Sequence, residues 1–438
     1  MSAEGPRVQG LAEADPLASE DLGRELRHRW LIWDEFVGGR RRVDLHPLIL
    51  PAQAHDDARS AAEDAVRLVG QAATLALEAR EERAEAARYG FSRAVERLAE
   101  ASFRAGDTLS LVRVDLLLGE DGRFRACEVN ADCPGGHNEA HGLPWLARRA
   151  GFHGASDVTA VIPELASCLV ALSGGPGSPE GLIALVFATA YAEDLQVCAL
   201  IERAVLEAGG RAVRVPPTAL RVQGGRVFTG ASRVGVLYRF FPTEHFAELP
   251  LAEEIVPCIE SGSVRTLSSF SAMYLQSKLA FARAHSVASS LSPRDLQALQ
   301  SRVPYSCLPV EAEGLEGDKD GWVLKRALGR VGDEVFVGAL FERGAWSRIV
   351  QAVREAVARG EVWIAQRFVP QRPVPTPWGP RLVTLGVYLM EGRFLGYFAR
   401  LTEVSHASHD ALVLPVFVAP RGPSAARSSP LGDVQGRP

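Results

Sequence analysis

The sequence predicts a mixed α/β (α+β) protein, and three stretches predict it. Ala54 to Ala105 is rich in Ala, Glu and Arg at helical apolar spacing, broken only near Tyr89-Gly90. Leu111 to Asn130 reads as two strands joined at the turn signal Asp121-Gly122. Residues 182–215 read strand, helix, strand at the lengths of an α/β unit.

With 438 residues the chain can bury a large core and divides into two or three domains. A net charge of -5 from 48 basic and 53 acidic side chains gives no general attraction to nucleic acid or an anionic membrane. The six cysteines are too sparse for a disulfide scaffold. The N-terminus lacks a signal-type apolar run, and the most apolar window, Gly181 to Ala190, is too short to span a bilayer. These features predict a cytoplasmic protein without a nucleic-acid or membrane partner; they leave the oligomeric state open.

In chain order, residues 1–105 form a predicted helical N-terminal region, with PLILP (Pro47 to Pro51) as a break and amphipathic helices beyond it. Residues 106–173 hold the hairpin and an Ala/Leu-rich stretch, ending at the breaker cluster Gly174 to Pro179. Residues 180–256 form a smaller α/β lobe: a strand from Leu182 to Ala188, a helix stopped by Gly209-Gly210, and a strand from Val234 to Tyr238. No glycine-rich fingerprint follows the first of these strands, which argues against a dinucleotide-binding domain. In residues 257–421 a helix from Tyr274 carries Lys278, and the strand-like pieces from about 318 to 400 are expected to form one sheet that faces the hairpin. The Gly/Pro/Ser-rich tail 422–438 predicts disorder.

The hairpin carries the chemistry. Alternation puts Arg113 and Asp115 on one face of the first strand, and Glu128 and Asn130 on one face of the second. Two adjacent carboxylates repel unless a cation neutralises them, and this all-oxygen set suits Mg²⁺ carrying nucleotide phosphates. A solvated polar face has the same pattern. A further candidate is WVLKRALGRVG, where Lys325 ends a short strand and Gly329 and Gly332 let backbone N–H groups close over phosphates. A lysine snorkelling beside a turn is the plainer reading. Gln366 in VWIAQRFV could meet an adenine edge or cap its strand, and Arg400 offers paired donors to a phosphate or carboxylate. Cys127, Cys133, His137 and His141 are competent zinc ligands. Cys127, however, lies on the face opposite Glu128, and the first pair lacks tight Cys-x₂₋₄-Cys spacing.

The segment RVDLLLGEDGRFRACEVNADCPGG resembles the metal-binding segment of the glutathionylspermidine synthase-like proteins, whose fold is a circularly permuted ATP-grasp. The resemblance implies that fold, with additional N-terminal helices. It implies Arg113 as the active-centre arginine, Asp115, Glu128 and Asn130 as magnesium ligands, and Lys278 and Lys325 as nucleotide lysines. Gly329 and Gly332 would cover the phosphates and Gln366 would border adenine. The aromatic-rich run YRFFPTEHF, ending near Glu244, is similar to a family segment. The site order fits the permutation, since an ordinary ATP-grasp chain places its lysines before its metal carboxylates. The chain departs from the family around the second lysine, at Arg326 and Arg330-Val331-Gly332, and lacks a recognisable amidase half.

The implied activity is an ATP- and Mg²⁺-dependent carboxylate–amine ligase forming an amide through an acyl phosphate, with release of ADP and phosphate. A non-ligating ATP-binding protein and a small-molecule kinase are the alternatives on the same fold. The expected partners are a small carboxylic acid or short peptide, anchored near Arg239 or Arg265, and an amine of modest charge. Replacing Asp115 or Glu128 by alanine should damage turnover far more than folding.

Overall fold

The computed structural model describes residues 5–11, 13–78, 88–178, 181–329, 334–406 and 410–421. The first 105 residues are not wholly helical. Leu48–Leu50, within the predicted break, is a buried strand pairing antiparallel with Arg7–Val8 and parallel with Val416–Val418. Three consecutive apolar residues between two prolines satisfy a strand buried on both faces. Helix Ala52–Glu78 follows, and its inner stripe of Ala58, Ala61, Ala62, Ala65 and Ala72 allows close approach to the central sheet. Helix Arg93–Arg104 is capped by the Ser92 hydroxyl, which accepts from the Val95 N–H at 3.3 Å.

The central sheet has five antiparallel strands in the order Leu412–Leu414, Arg393–Thr402, Leu382–Met390, Leu111–Leu118, Phe124–Asn130. The predicted hairpin is therefore its edge. The sequence reading grouped strands 382–402 with Lys325, but they pair with the hairpin, Gly386 opposite Asp115. Their apolar residues complete the core under helix Ala52–Glu78, which a separate sheet would leave uncovered.

Lys325 lies in a second antiparallel sheet, ordered Ser306–Cys307, Trp363–Arg367, Trp322–Arg326, Val335–Val337. Helix Arg343–Ala358 covers it with Trp346, Val350, Val353 and Ala356. The smaller lobe is built on parallel strands Arg211–Val215, Leu182–Phe187 and Ser232–Phe240. Alternation in Leu182–Phe187 sends Ile183 and Leu185 to helix Ala192–Glu207, and Ala184 and Val186 to helix Leu251–Glu260. The lobe runs past residue 256, because Arg265–Leu267 adds a parallel strand. The predicted helix from Tyr274 is broken at Ser277-Lys278 into Met273–Gln276 and Leu279–Ser286, where the Lys278 N–H donates to the Ala327 carbonyl at 2.9 Å. No helix among the described residues is long and apolar enough to cross a membrane. Gly332 and the tail 422–438 lie outside the described residues.

Candidate active site

The central hairpin pairs Arg113 with Asn130 and Asp115 with Glu128, and a register shift follows directly after Asp115. A bulge at this point adds local twist and re-aims side chains without breaking the pairing. Asp115 is only 2% exposed. Arg113 grips it from Nε to Oδ1 at 2.8 Å and from Nη2 to Oδ2 at 3.0 Å. Arg400, from strand Arg393–Thr402, donates to Oδ2 at 2.6 Å, and the Asn130 amide donates to the same oxygen at 3.3 Å. Burial alone would raise the Asp115 carboxyl, but the two guanidiniums outweigh it and hold it below the ordinary carboxylate range.

The sheets meet across Glu128. Lys278 Nζ lies 2.9 Å from Glu128 Oε1 and donates to the Gly329 carbonyl at 2.7 Å. Burial opposes ionisation of Glu128, as does Asp115 across the hairpin, yet Lys278, aided by Lys325, keeps its carboxyl below normal. Lys325 Nζ donates to Gln366 Oε1 at 2.7 Å and to the Cys127 carbonyl at 2.9 Å, and burial pushes its pKa down. Gln366 in turn donates to Ser306 Oγ at 3.1 Å. Asp115, Glu128, Lys325, Gln366 and Arg400 line one cleft between the sheets.

The structure thus gathers Arg113, Asp115, Glu128, Asn130, Lys278, Lys325, Gln366 and Arg400, with the Gly329 carbonyl on Lys278. Arg400 belongs to the carboxylate side of the cleft and not to the lysine sheet. Arg239 is not available as a substrate anchor. Its side chain is 1% exposed, pairs with Asp132 Oδ1 at 2.7 Å, and donates to the Phe241 carbonyl at 2.9 Å. Arg265 faces Asp107 at 3.3 Å. Both arginines look free in the sequence because their acids lie 107 and 158 residues away.

Residues beyond the sequence reading shape the site. Gln276 Oε1 accepts from the Ala131 and Asp132 N–H groups at 2.8 and 3.1 Å, fixing the hairpin's exit beside Lys278. The only sequence signal was a polar residue closing the apolar run MYL. Gly386 leaves room for Arg113: an added Cβ would stand 2.9 Å from Arg113 Cδ. Arg113 Nη1 donates to the Gly135 carbonyl at 2.9 Å, as does the Tyr388 hydroxyl. The alternative zinc set is not assembled: among the described residues no three His, Cys, Asp or Glu side chains are grouped to hold a metal. The Cys127 thiol donates to the Asp115 carbonyl at 3.3 Å, and burial raises its pKa to about 11.

Residues 44–418 match the family described as glutathionylspermidine synthase preATP-grasp. The chain belongs to that family. It is therefore an ATP-grasp carbon–nitrogen ligase by family, on a mixed α/β architecture. A glutathione synthetase-like effector from Globodera pallida in its apo form is similar in structure, with a TM-score of 0.59 at 12% identity over 93% of this chain and 98% of that one. A putative gamma-glutamylcysteine synthetase from Methylobacillus flagellatus KT aligns with a TM-score of 0.40 at 12% identity, over 79% and 85% of the two chains. No curated relative matches.

Proposed function

We propose that the protein joins a small carboxylic acid or short peptide to an amine, using ATP and releasing ADP and phosphate through an acyl phosphate. The observation that carries this reading is the pairing of two facing carboxylates, Asp115 and Glu128, with Arg113, Arg400, Lys278 and Lys325 around one cleft. Solvated polar faces do not bury such groups together, because each buried charge needs a compensating partner. The order of these residues along the chain, acids before lysines, supports the permuted form of the fold.

Asp115, Glu128 and Asn130 fit Mg²⁺: they bring only oxygen donors to one face, and Glu128 keeps 23% of its side-chain surface exposed to the cleft. When bound, the metal neutralises phosphate oxygens and polarises the transferred group. Lys278 and Lys325 hold the remaining phosphates. Gln366, on the strand beside Lys325, meets the base edge. Arg113, fixed against Gly135 and Gly386, stabilises charge on the phosphoryl group as the substrate carboxylate attacks it. The amine then attacks the acyl carbon, the C–O bond to phosphate breaks, and the amine proton leaves to solvent.

The test is phosphate release from ATP in a matrix of amino acids, short peptides and amines, with mass detection of the condensed product. ADP formed together with a new amide supports the reading. ADP formed without any amine makes the protein a kinase, and absence of saturable nucleotide binding removes both readings.

A further inference from the structure

The four cations named around Asp115 and Glu128 are all engaged by groups of the site. Arg113 and Arg400 hold Asp115, Lys278 holds Glu128, and Lys325 is bonded to Gln366 and the Cys127 carbonyl. With two carboxylates against four cations the cleft carries excess positive charge, which repels a free metal ion and attracts a triphosphate. A metal that takes Asp115 must also displace guanidinium from it.

The two arginines are not equivalent in this exchange. Arg113 is fixed by two bonds to Asp115, one to Gly135, and the close approach over Gly386. Among the described residues Arg400 makes a single hydrogen bond to Asp115, from Nη2, and its buried Nε has no hydrogen-bond partner. A buried donor without an acceptor is costly, so this guanidinium has a donor to spend on an incoming anion.

Building on the proposed ATP chemistry, we infer that Arg400 makes the site refuse a free divalent metal and accept it only with nucleotide, by holding Asp115 until phosphate draws the guanidinium away. Metal and nucleotide are then strongly coupled ligands, and each tightens the other by the same factor. Arg400 is a positioning residue in this role, acting on the metal through Asp115.

The test uses the full chain, Mn²⁺ followed by electron paramagnetic resonance, and a non-hydrolysable ATP analogue. The expected result is Mn²⁺ binding at least about tenfold tighter with the analogue than without it, or about 1.4 kcal/mol of coupling. Calorimetry of the analogue with and without Mn²⁺ should give the same factor. In Arg400→Gln the binding of free Mn²⁺ should strengthen and the coupling shrink, and Arg400→Lys should restore part of it. Equal Mn²⁺ affinity with and without analogue in the unaltered protein overturns the inference and leaves the ligase reading standing. Unchanged coupling in a folded Arg400→Gln variant also overturns it. An analogue that fails to bind under every condition overturns the ligase reading together with it.

Discussion

His137 is wholly buried at the first position of helix His137–Arg149, and among the described residues neither ring nitrogen has a hydrogen-bond partner. Its neighbours are the rings of Phe240 and Tyr388 at 5.9 and 5.6 Å. Burial, reinforced by Arg113, lowers its pKa to about 3. The unfolded chain binds this proton with a pKa of about 6.5, so protons favour unfolding between the two values. Stability contributed by neutral His137 is complete above about pH 6.5 and is lost as pH falls towards about 3. Denaturant midpoints measured across this window should fall more steeply for the unaltered protein than for His137→Gln. The expected difference is about 1.4 kcal/mol per pH unit; parallel curves would show that His137 titrates normally.

The carboxylates differ as targets, which the sequence could not show. Asp115 is enclosed between two guanidiniums, so its removal strands buried cations and disturbs folding as well as turnover. Glu128 faces the cleft and tests the chemistry with less structural cost. In Glu128→Gln, ATP-dependent product formation should drop about 10²-fold, the size seen when one preorganised electrostatic group is lost, with a smaller fall in melting temperature than Asp115→Asn causes, because the amide oxygen can still accept from Lys278. Full turnover in that variant would remove Glu128 from the site. The polar residues themselves were legible because they interrupt apolar strands at period two, as Arg113 and Asp115 do in LVRVDLLL. Their partners were not, since Arg400 reaches Asp115 across 285 residues of chain.

At the scale of elements, short-range signals identified the hairpin and long-range pairing decided where it sits. Asp121-Gly122 announces the turn, and Gly122 has φ of 79° there. Which strand lies beside Leu111–Leu118 is fixed by cores shared with distant residues, and the sequence reading placed Leu382–Met390 in the wrong sheet. Gly386 makes the cost of that pairing visible. An added Cβ would approach Arg113 Cδ at 2.9 Å and the Phe398 carbonyl oxygen at 3.1 Å, in a strand paired on both sides. Gly386→Ala should therefore displace Arg113 and lower kcat much more than it changes KM for ATP, with a stability loss of about 1–3 kcal/mol typical of overpacking. An alanine variant with unaltered kcat would mean that Arg113 can shift without consequence.

At the scale of the whole molecule, the lobe and the central sheet are joined by a buried ionic link. Asp132, two residues beyond the hairpin, is fully buried and meets Arg239 at the end of lobe strand Ser232–Phe240. Thr243 adds an N–H bond at 3.0 Å and a hydroxyl bond at 2.7 Å to the same carboxylate. The guanidinium is held in turn by the carbonyls of Phe241 and Ser268, at 2.9 and 3.1 Å, and stands 4.5 Å from the Phe270 ring centroid. The link thus sets where the lobe stands relative to Asp115, Glu128 and the Gly135 turn. Truncating one member of such a pair leaves a buried charge uncompensated, whereas neutralising both removes the desolvation penalty with the attraction. Arg239→Met should destabilise the protein by about 3–5 kcal/mol in chemical denaturation, and Asp132→Asn combined with Arg239→Met should recover part of that loss. The double variant should nevertheless turn over slowly, because its lobe is no longer anchored to the hairpin's exit. Strictly additive losses in the two single variants would mean that Asp132 and Arg239 stabilise the fold independently, and the lobe would owe its placement to apolar packing alone.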